Sequence, residues 1–358
     1  MNIIIVAGTR PNFIKIASII HEIRKNYTNI SFQLVHTGQH YNDSLNEIFF
    51  RELNIPEPDT NLNCGSGTHA EQTASIMIGF EKYLTTNNAE IIMVVGDVNS
   101  TLACSIVAKK MNRQLIHIEG GIRSFDLTMP EEINRLVTDS ITDHFFTTSS
   151  FANNNLIKSG IEENRIHFVG NTMIDTLLTN QNNLKQPECF NTLKLQNKKY
   201  WSLTLHRPSN VDNEQELEKI ITEINNNCGG LPVIFPVHPR TKNKLTKTFT
   251  LAHIKFIEPL GYLEFMYLIS NSIGVITDSG GIQEETTVLH VPCLTLRENT
   301  ERPETISIGT NMLIPELSLL ENNMKNIISG KWKQGAVPEL WDGKTSERIL
   351  NTLVKLYS

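Results

Sequence analysis

Short apolar runs rich in β-branched residues alternate with helix-period patterns along the whole chain, and this alternation restricts the fold more than any other feature. A continuous apolar run suits a strand buried on both faces, as in parallel sheets whose strands are joined by helices. In the first half such runs fall at 3–7, 31–37, 91–95, 115–118, 144–147 and 166–169. In the second half they fall at 200–205, 232–237, 255–258, 274–277 and 292–296. After the first run, Phe13, Ile16, Ala17, Ile20 and Ile23 share one helical face. Between the two sets, eight of the 22 residues from 179 to 200 are Asn or Gln, interrupted by Pro187. The expected layout is α/β: a doubly wound, Rossmann-like domain at 1–178, a linker at 179–194 and a second such domain at 195–340. Apolar residues at 349, 350, 353 and 356 predict a closing amphipathic helix within about 345–358. Two doubly wound domains facing each other would take a ligand in the cleft between their strand carboxyl ends.

Charge and cysteine content narrow the function. Lys plus Arg number 32 against 38 Asp plus Glu, for a net charge of −6, which argues against the basic face that nucleic acid requires. No apolar run approaches the ~20 residues that span a bilayer. The opening MNIIIVAGTRPNF lacks the basic region and cleavage site of a signal peptide. Cysteines 64, 104, 189, 228 and 293 are odd in number and contain no C-x-x-C, so neither a disulfide framework nor a structural zinc site is expected. The expectation is a soluble cytoplasmic protein without a metal, nucleic-acid or membrane partner.

The strand ends carry the chemistry. Gly8-Thr9-Arg10-Pro11 precedes a helix, and free backbone N–H groups there, beside Arg10 and Lys15, would hold an anion. An ordinary βα turn with two surface cations fits the same residues. Asp278-Ser279-Gly280-Gly281 opens another helix, where two glycines let a phosphate approach the backbone; Glu285, one turn in, suits ribose hydroxyls. A glycine turn followed by an acidic first helical turn is the plainer account. Asp97 in GDVNST, Glu119 in HIEGG and Glu131 in MPEEINR follow successive first-domain strands. Gathered carboxylates divide into acid and base as their pKa values separate. Pro130 marks a helix start, so Glu131 and Arg135 share one face, opposite Ile133, Leu136 and Val137. Helix capping by Glu131 and Glu132, with pairing to Arg135, is the structural alternative. His206-Arg207 and His238-Pro239-Arg240 each close a second-domain strand. Gly65-Ser66-Gly67-Thr68-His69-Ala70 formally fits G-x-G-x-x-A, but no buried strand precedes it, so no nicotinamide site is expected.

Taken together, GTRPNFIKIASII, HTGQH, GDVNSTLA, HIEGGIRS, MPEEINR, VGNTMID, LHRPSN, PVHPR, DSGGIQEE and ENTERPETISIGTN resemble the non-hydrolysing UDP-N-acetylglucosamine 2-epimerases, in the same order from about residue 3 to 314. Pro11 and Lys15 match the non-hydrolysing branch, since the hydrolysing relatives carry an acidic residue and tyrosine in that loop. The resemblance implies a GT-B-like fold, with two Rossmann-like domains closing over a UDP-sugar and the C-terminal helix crossing back to the first. It also implies a homodimer that needs no cofactor and supplies surface polysaccharide precursors.

Residue by residue, the resemblance places Arg10 and Lys15 near the diphosphate and sugar. Asp97, Glu119 and Glu131 become the proton-transfer trio, with Arg135 beside them and His206 at the second domain's cleft edge. Phe265 falls near the uracil, Ser279, Gly280 and Gly281 at the phosphate, Glu285 at the ribose, and Arg302 reaches back toward the cleft. Some relatives bind a second, activating UDP-sugar through Gln-His-x-Gln and Arg-Gln. Here those segments read Gln39-His40-Tyr41-Asn42 and Gly67-Thr68, so weak or absent activation is expected.

Inverting C2 of an N-acetylhexosamine is difficult because no carbonyl neighbours that C–H. The chemistry requires either transient oxidation nearby or loss of the anomeric substituent. Elimination needs a base at C2 and cations on the departing UDP. The expected path is loss of UDP to give 2-acetamidoglucal, then re-addition with a proton on the opposite face. A C2 epimerase of a 6-deoxy or uronic-acid UDP-sugar, or a GT-B glycosyltransferase, fits the same motifs.

Overall fold

The structure is a computed structural model that describes residues 1–38, 50–237 and 251–357. The chain divides into two compact units, Met1–Thr179 with Glu339–Ser358, and Asn180–Pro338. Unit 1 is built on a seven-stranded, wholly parallel sheet in the order β3-β2-β1-β4-β5-β6-β7. Its strands are β1 (Asn2–Ala7), β2 (Ser31–His36), β3 (Thr60–Asn61), β4 (Ile91–Val95), β5 (Gln114–Ile118), β6 (His144–Thr147) and β7 (Ile166–Phe168). Ile3, Ile4 and Ile5 are wholly buried, as a central strand covered on both faces requires. The connecting helices are α1 (Arg10–Asn26), α2 (His69–Thr86), α3 (Asn99–Lys110), α4 (Pro130–Ile141) and α5 (Ser150–Lys158), followed by α6 (Thr172–Asn180) after β7. Winding reverses between β1 and β4, so their carboxyl ends form the switch point where such sheets bind ligands.

Unit 2 repeats the plan with six parallel strands in the order β10-β9-β8-β11-β12-β13. These are β8 (Trp201–Thr204), β9 (Val233–Pro236), β10 (Ile254–Ile257), β11 (Gly274–Thr277), β12 (Cys293–Thr295) and β13 (Asn311–Leu313). Trp201, Leu203, Phe235, Ile276 and Leu294 form its core with Leu217, Ile220 and Ile224. Here the winding reverses between β8 and β11.

Two strands escape the apolar pattern. β3 has only two residues, and β13 begins at Asn311, whose side chain is buried and hydrogen-bonded rather than apolar. The polar stretch 179–194 holds a 3-10 turn, Gln181–Asn183, and a short helix α7 (Glu188–Thr192). Its Phe190 packs edge-on against Tyr200 and Tyr267, so this stretch is folded into unit 2. The remaining helices of five residues or more are α8 (Glu214–Asn227), α9 (Tyr262–Asn271), α10 (Gly280–Val288), α11 (Pro303–Ser307), α12 (Leu320–Ile328) and α13 (Thr345–Tyr357).

The last helix, α13, belongs to unit 1, where it packs on α1 with Ile349, Leu350 and Leu353 fully buried. Asp175 of α6 accepts the backbone N–H groups of Thr345 at 3.1 Å and Ser346 at 2.7 Å, a capping carboxylate supplied from a distant segment. Gly170, at φ 103°, lies where a Cβ would be 2.2 Å from the Leu340 carbonyl oxygen, so the return of the chain requires glycine there.

α13 also covers a histidine pair. His167 Nε2 is 3.2 Å from His144 Nδ1, and the Tyr357 ring meets His144 edge-on. Burial, reinforced by the neighbouring His144, pushes His167 down to about 4. A histidine with a depressed native pKa favours the folded state fully above its unfolded value of about 6.5; this contribution is lost as pH falls toward 4. Replacing it by His167→Asn is expected to flatten the loss of urea-denaturation midpoint between pH 7 and pH 4.5. An equally steep acid limb in the variant would refute this assignment.

Candidate functional site

In unit 1 the loops after β1, β4 and β5 converge. Gly8 follows β1 where a Cβ would fall 2.0 Å from Ser100 Oγ, so only glycine lets α3 approach. Asn12 then organises the turn. Its Oδ1 accepts the N–H groups of Gly8 and Thr9, each at 3.1 Å, while its Nδ2 donates to the Val95 carbonyl. Two of the backbone donors expected to be free for an anion, those of Gly8 and Thr9, are therefore occupied. Lys15, expected beside that anion, is 5% exposed and pairs with Glu119 at 2.5 Å. Arg10 is half-buried at the start of α1. Glu119 adopts φ 70°, a left-handed backbone uncommon for a non-glycine residue and characteristic of strained functional positions. The Lys15–Glu119 pair lies against Gly96, immediately before Asp97.

Arg135 joins the remaining carboxylates, though not as its spacing from Glu131 implied. Its Nη2 pairs with Asp97 and its Nη1 with Glu132 at 2.8 Å, the latter pair at i, i+3. Glu131 turns elsewhere and lines a pocket with Asp97. The structure thus brings Asp97, Glu119, Lys15 and Arg135 into the linked loops, with Glu131 beside Asp97.

Two buried carboxylates outside the expected trio hold these loops. Glu132 accepts the Ser124 and Phe125 N–H groups at 2.9 and 3.1 Å, tying the loop after β5 to α4. Asp139 accepts the Gly121 N–H at 3.0 Å and pairs with Arg123 at 2.6 Å and His117 at 2.7 Å. The other nitrogen of His117 lies 2.8 Å from the Gly96 carbonyl. Burial alone would raise the Asp139 carboxyl pKa; the charges and hydrogen bonds of His117 and Arg123 outweigh it and hold the group below the usual range. One buried cluster therefore anchors all three elements that carry the trio. Glu132 had a local sequence signal in its spacing from Arg135. Asp139 had none, because its partners come from another strand and loop.

In unit 2, Asp278 at the end of β11 is buried beneath His206. It accepts the backbone N–H groups of His206 and Arg207 and the Asn210 side-chain N–H at 3.0 Å, and it faces His206 Nδ1 at 2.7 Å. Burial opposes its charge, but these donors keep the carboxyl low. His206 is 61% exposed, so Nδ1 is oriented by Asp278 while the ring edge carrying Nε2 remains accessible. Ser279 precedes α10, which begins at Gly280 and Gly281. Arg302 packs over Gly280, its Nη1 3.3 Å from a Cβ position there, and pairs with Glu284 at 2.7 Å. Glu285 is buried and accepts the Tyr262 hydroxyl at 3.0 Å; burial and this carboxylate push Tyr262 well above its ordinary pKa. Phe265 is half-buried on α9. This unit therefore gathers a glycine-started helix, an arginine, an oriented histidine and the buried Glu285 carboxylate near one switch point.

His238, Pro239 and Arg240, and Gln39 through Asn42, lie outside the described residues. Gly67 lines the unit 1 pocket, and Thr68 forms a capping box with Glu71, so that segment opens a helix. Among the described residues, no group of three His, Cys, Asp or Glu has metal-holding geometry, and no helix is long and apolar enough to cross a membrane.

A family model described as UDP-N-acetylglucosamine 2-epimerase matches residues 21–354. A UDP-N-acetylglucosamine 2-epimerase from Methanococcus maripaludis is 46% identical, over 97% of this chain and 96% of its own. A UDP-2,3-diacetamido-2,3-dideoxy-D-glucuronate 2-epimerase from Pseudomonas aeruginosa is 35% identical, over 99% of this chain and all of its own. The crystal structure of Methanocaldococcus jannaschii UDP-GlcNAc 2-epimerase in complex with UDP-GlcNAc and UDP superimposes with a TM-score of 0.89 at 42% identity, covering 99% of this chain and all of that one.

Proposed function

The chain belongs to the UDP-N-acetylglucosamine 2-epimerase family, and from that membership we propose that it interconverts UDP-N-acetylglucosamine and UDP-N-acetylmannosamine without a cofactor. The observation that carries the reading is the linked set of carboxylates on unit 1, Asp97, Glu119 and Glu131, with Arg135 and Lys15 bound among them. A carboxylate removes the C2 proton as the C1–O bond breaks, UDP leaves with the bonding electrons, and the C1=C2 bond of 2-acetamidoglucal forms. UDP oxygen then re-adds at C1 while a protonated carboxyl returns a proton to the opposite face of C2. The groups suited to the nucleotide lie on unit 2: Arg302 over Gly280 for phosphate charge, Glu285 for ribose, Phe265 for uracil and His206 for the departing diphosphate.

Incubation with UDP-N-acetylglucosamine in deuterated water tests the proposal. The manno epimer should accumulate with deuterium at C2, and free 2-acetamidoglucal and UDP should be detectable on prolonged reaction. Epimerisation with retention of the original C2 hydrogen would exclude the proton-exchange path. The Pseudomonas relative keeps a second reading in play, in which the sugar is a uronic acid.

The homodimer assignment rests on the inverted character of α4. Its buried face is polar, with Glu132, Asn134, Arg135, Thr138 and Asp139, while Ile133, Leu136 and Val137 are exposed at 48%, 40% and 38%. A solvent-facing helix normally shows the reverse pattern. Phe125 and Leu127, just before α4, are also exposed and add to the apolar surface that a second copy would cover. The double variant Ile133→Glu, Leu136→Arg is expected to be a folded monomer by light scattering, against a dimeric parent. A parent that is itself monomeric, or a variant that stays dimeric, would refute this surface.

A further inference from the structure

A pocket of about 280 Å³ in unit 1 is lined by His69, Gln72, Asp97, Asn99, Glu131 and Asn134 among others, and among the described residues no lysine or arginine is in its wall. The amides around it run in one sense. Gln72 Nε2 donates to the Gly65 carbonyl at 3.0 Å, which leaves Gln72 Oε1 to accept Asn99 Nδ2 at 2.9 Å. Asn134 Nδ2 donates to the Asp97 carbonyl at 2.8 Å and to Asn99 Oδ1 at 3.2 Å. A backbone carbonyl only accepts, so both ends of this relay are fixed. Flipping Asn99 would then set acceptor against acceptor and donor against donor. Asn99 retains one N–H, directed at His69 Nδ1 at 3.2 Å; Asn99 Oδ1, which already accepts from Asn134, is farther from that nitrogen at 3.5 Å. A ring nitrogen that accepts a hydrogen bond carries no proton, which puts the proton on Nε2.

His69 Nε2 has no partner among the described residues, while the ring itself lines the pocket. Resting on the epimerase reading, we infer that His69 is a specificity-determining residue that selects an uncharged sugar: its Nε2–H donates to a hydroxyl or amide oxygen, in a pocket whose carboxylates accept from sugar hydroxyls. A sugar carboxylate placed here would face Glu131, whose charge has no cationic partner among the described residues, and Asp97, already paired with Arg135. The single N–H of His69 does not offset that repulsion. The pocket therefore separates hexosamines from uronic acids, the distinction that the family relatives leave open. The Asn99 amide acts on the sugar only through the ring, as a positioning group.

The full-length protein allows two independent readouts. Nitrogen-15 imidazole spectra are expected to show His69 as the Nε2–H tautomer, turning to Nδ1–H in Asn99→Asp, where an acceptor replaces the donor. In deuterium-exchange kinetics, His69→Ala should raise KM for UDP-N-acetylglucosamine about tenfold, the loss of one hydrogen bond, with kcat changed much less. His69→Gln, which retains a donor, should recover most of that loss. The parent should favour UDP-N-acetylglucosamine over its C6 uronic-acid counterpart by about tenfold or more in kcat/KM. An Nδ1–H ring in the parent, an unchanged KM in His69→Ala, or equal turnover of the uronic acid would each overturn the inference. If the parent exchanges deuterium into neither sugar, the epimerase reading and the sugar assignment fall together, while the tautomer spectrum still decides whether the amide relay exists.

Discussion

Asp97→Asn, Glu119→Gln and Glu131→Gln are each expected to lower epimerase turnover by about 10²–10⁴-fold, the range typical for loss of a general acid or base. Their surroundings predict different accompanying effects. Glu119→Gln removes the charge facing buried Lys15, so it should also lower the unfolding midpoint. Asp97→Asn releases one arm of Arg135, which keeps its bond to Glu132 and a smaller structural penalty. Glu131 has no ion-pair partner among the described residues, so Glu131→Gln should leave stability almost unchanged while turnover falls. Circular dichroism and denaturation separate folding from chemistry in each case. A variant that releases 2-acetamidoglucal yet no longer returns deuterium to C2 would be assigned to the re-protonation step. Near-parental turnover in all three would remove the carboxylates from the mechanism.

Asp139→Ala should be the most damaging single change to unit 1, at about 3–5 kcal/mol, because it leaves Arg123 and His117 buried without their shared counter-charge. It also frees the Gly121 N–H and loosens the loop that presents Glu119. Urea denaturation would measure the loss, and Asp139→Asn, which keeps the shape but not the charge, should recover only part of it. A cost below about 1 kcal/mol, the usual range for an exposed pair, would show that the cluster is not an anchor. The native carboxyl lies below its ordinary pKa, so this stabilisation is present above the unfolded carboxylate value and lost as pH falls through the native one. The same cluster touches the Gly96 carbonyl beside Asp97, so turnover should fall together with stability.

The sequence determined the α/β class because strands buried on both faces must be apolar and their helices must keep a helical period. Nearly every strand was legible on that ground, and the exceptions, Thr60–Asn61 and Asn311–Leu313, are short or hold buried polar residues with local partners. It also determined which strand ends carry acids, cations and glycines, since those residues stand next to the apolar runs. Their partners were a matter for the tertiary structure. Lys15 meets Glu119 across 104 residues, and His206 meets Asp278 across 72, separations at which no periodicity operates. The local rule that put Arg135 with Glu131 gave way to a fork between Glu132 and Asp97, because α4 turns its polar face inward. Spacing in the chain places two side chains on one face of a helix. Whether that face meets solvent, a second copy or a buried network depends on what packs against it, and only the folded arrangement of β4, β5 and α4 decided this.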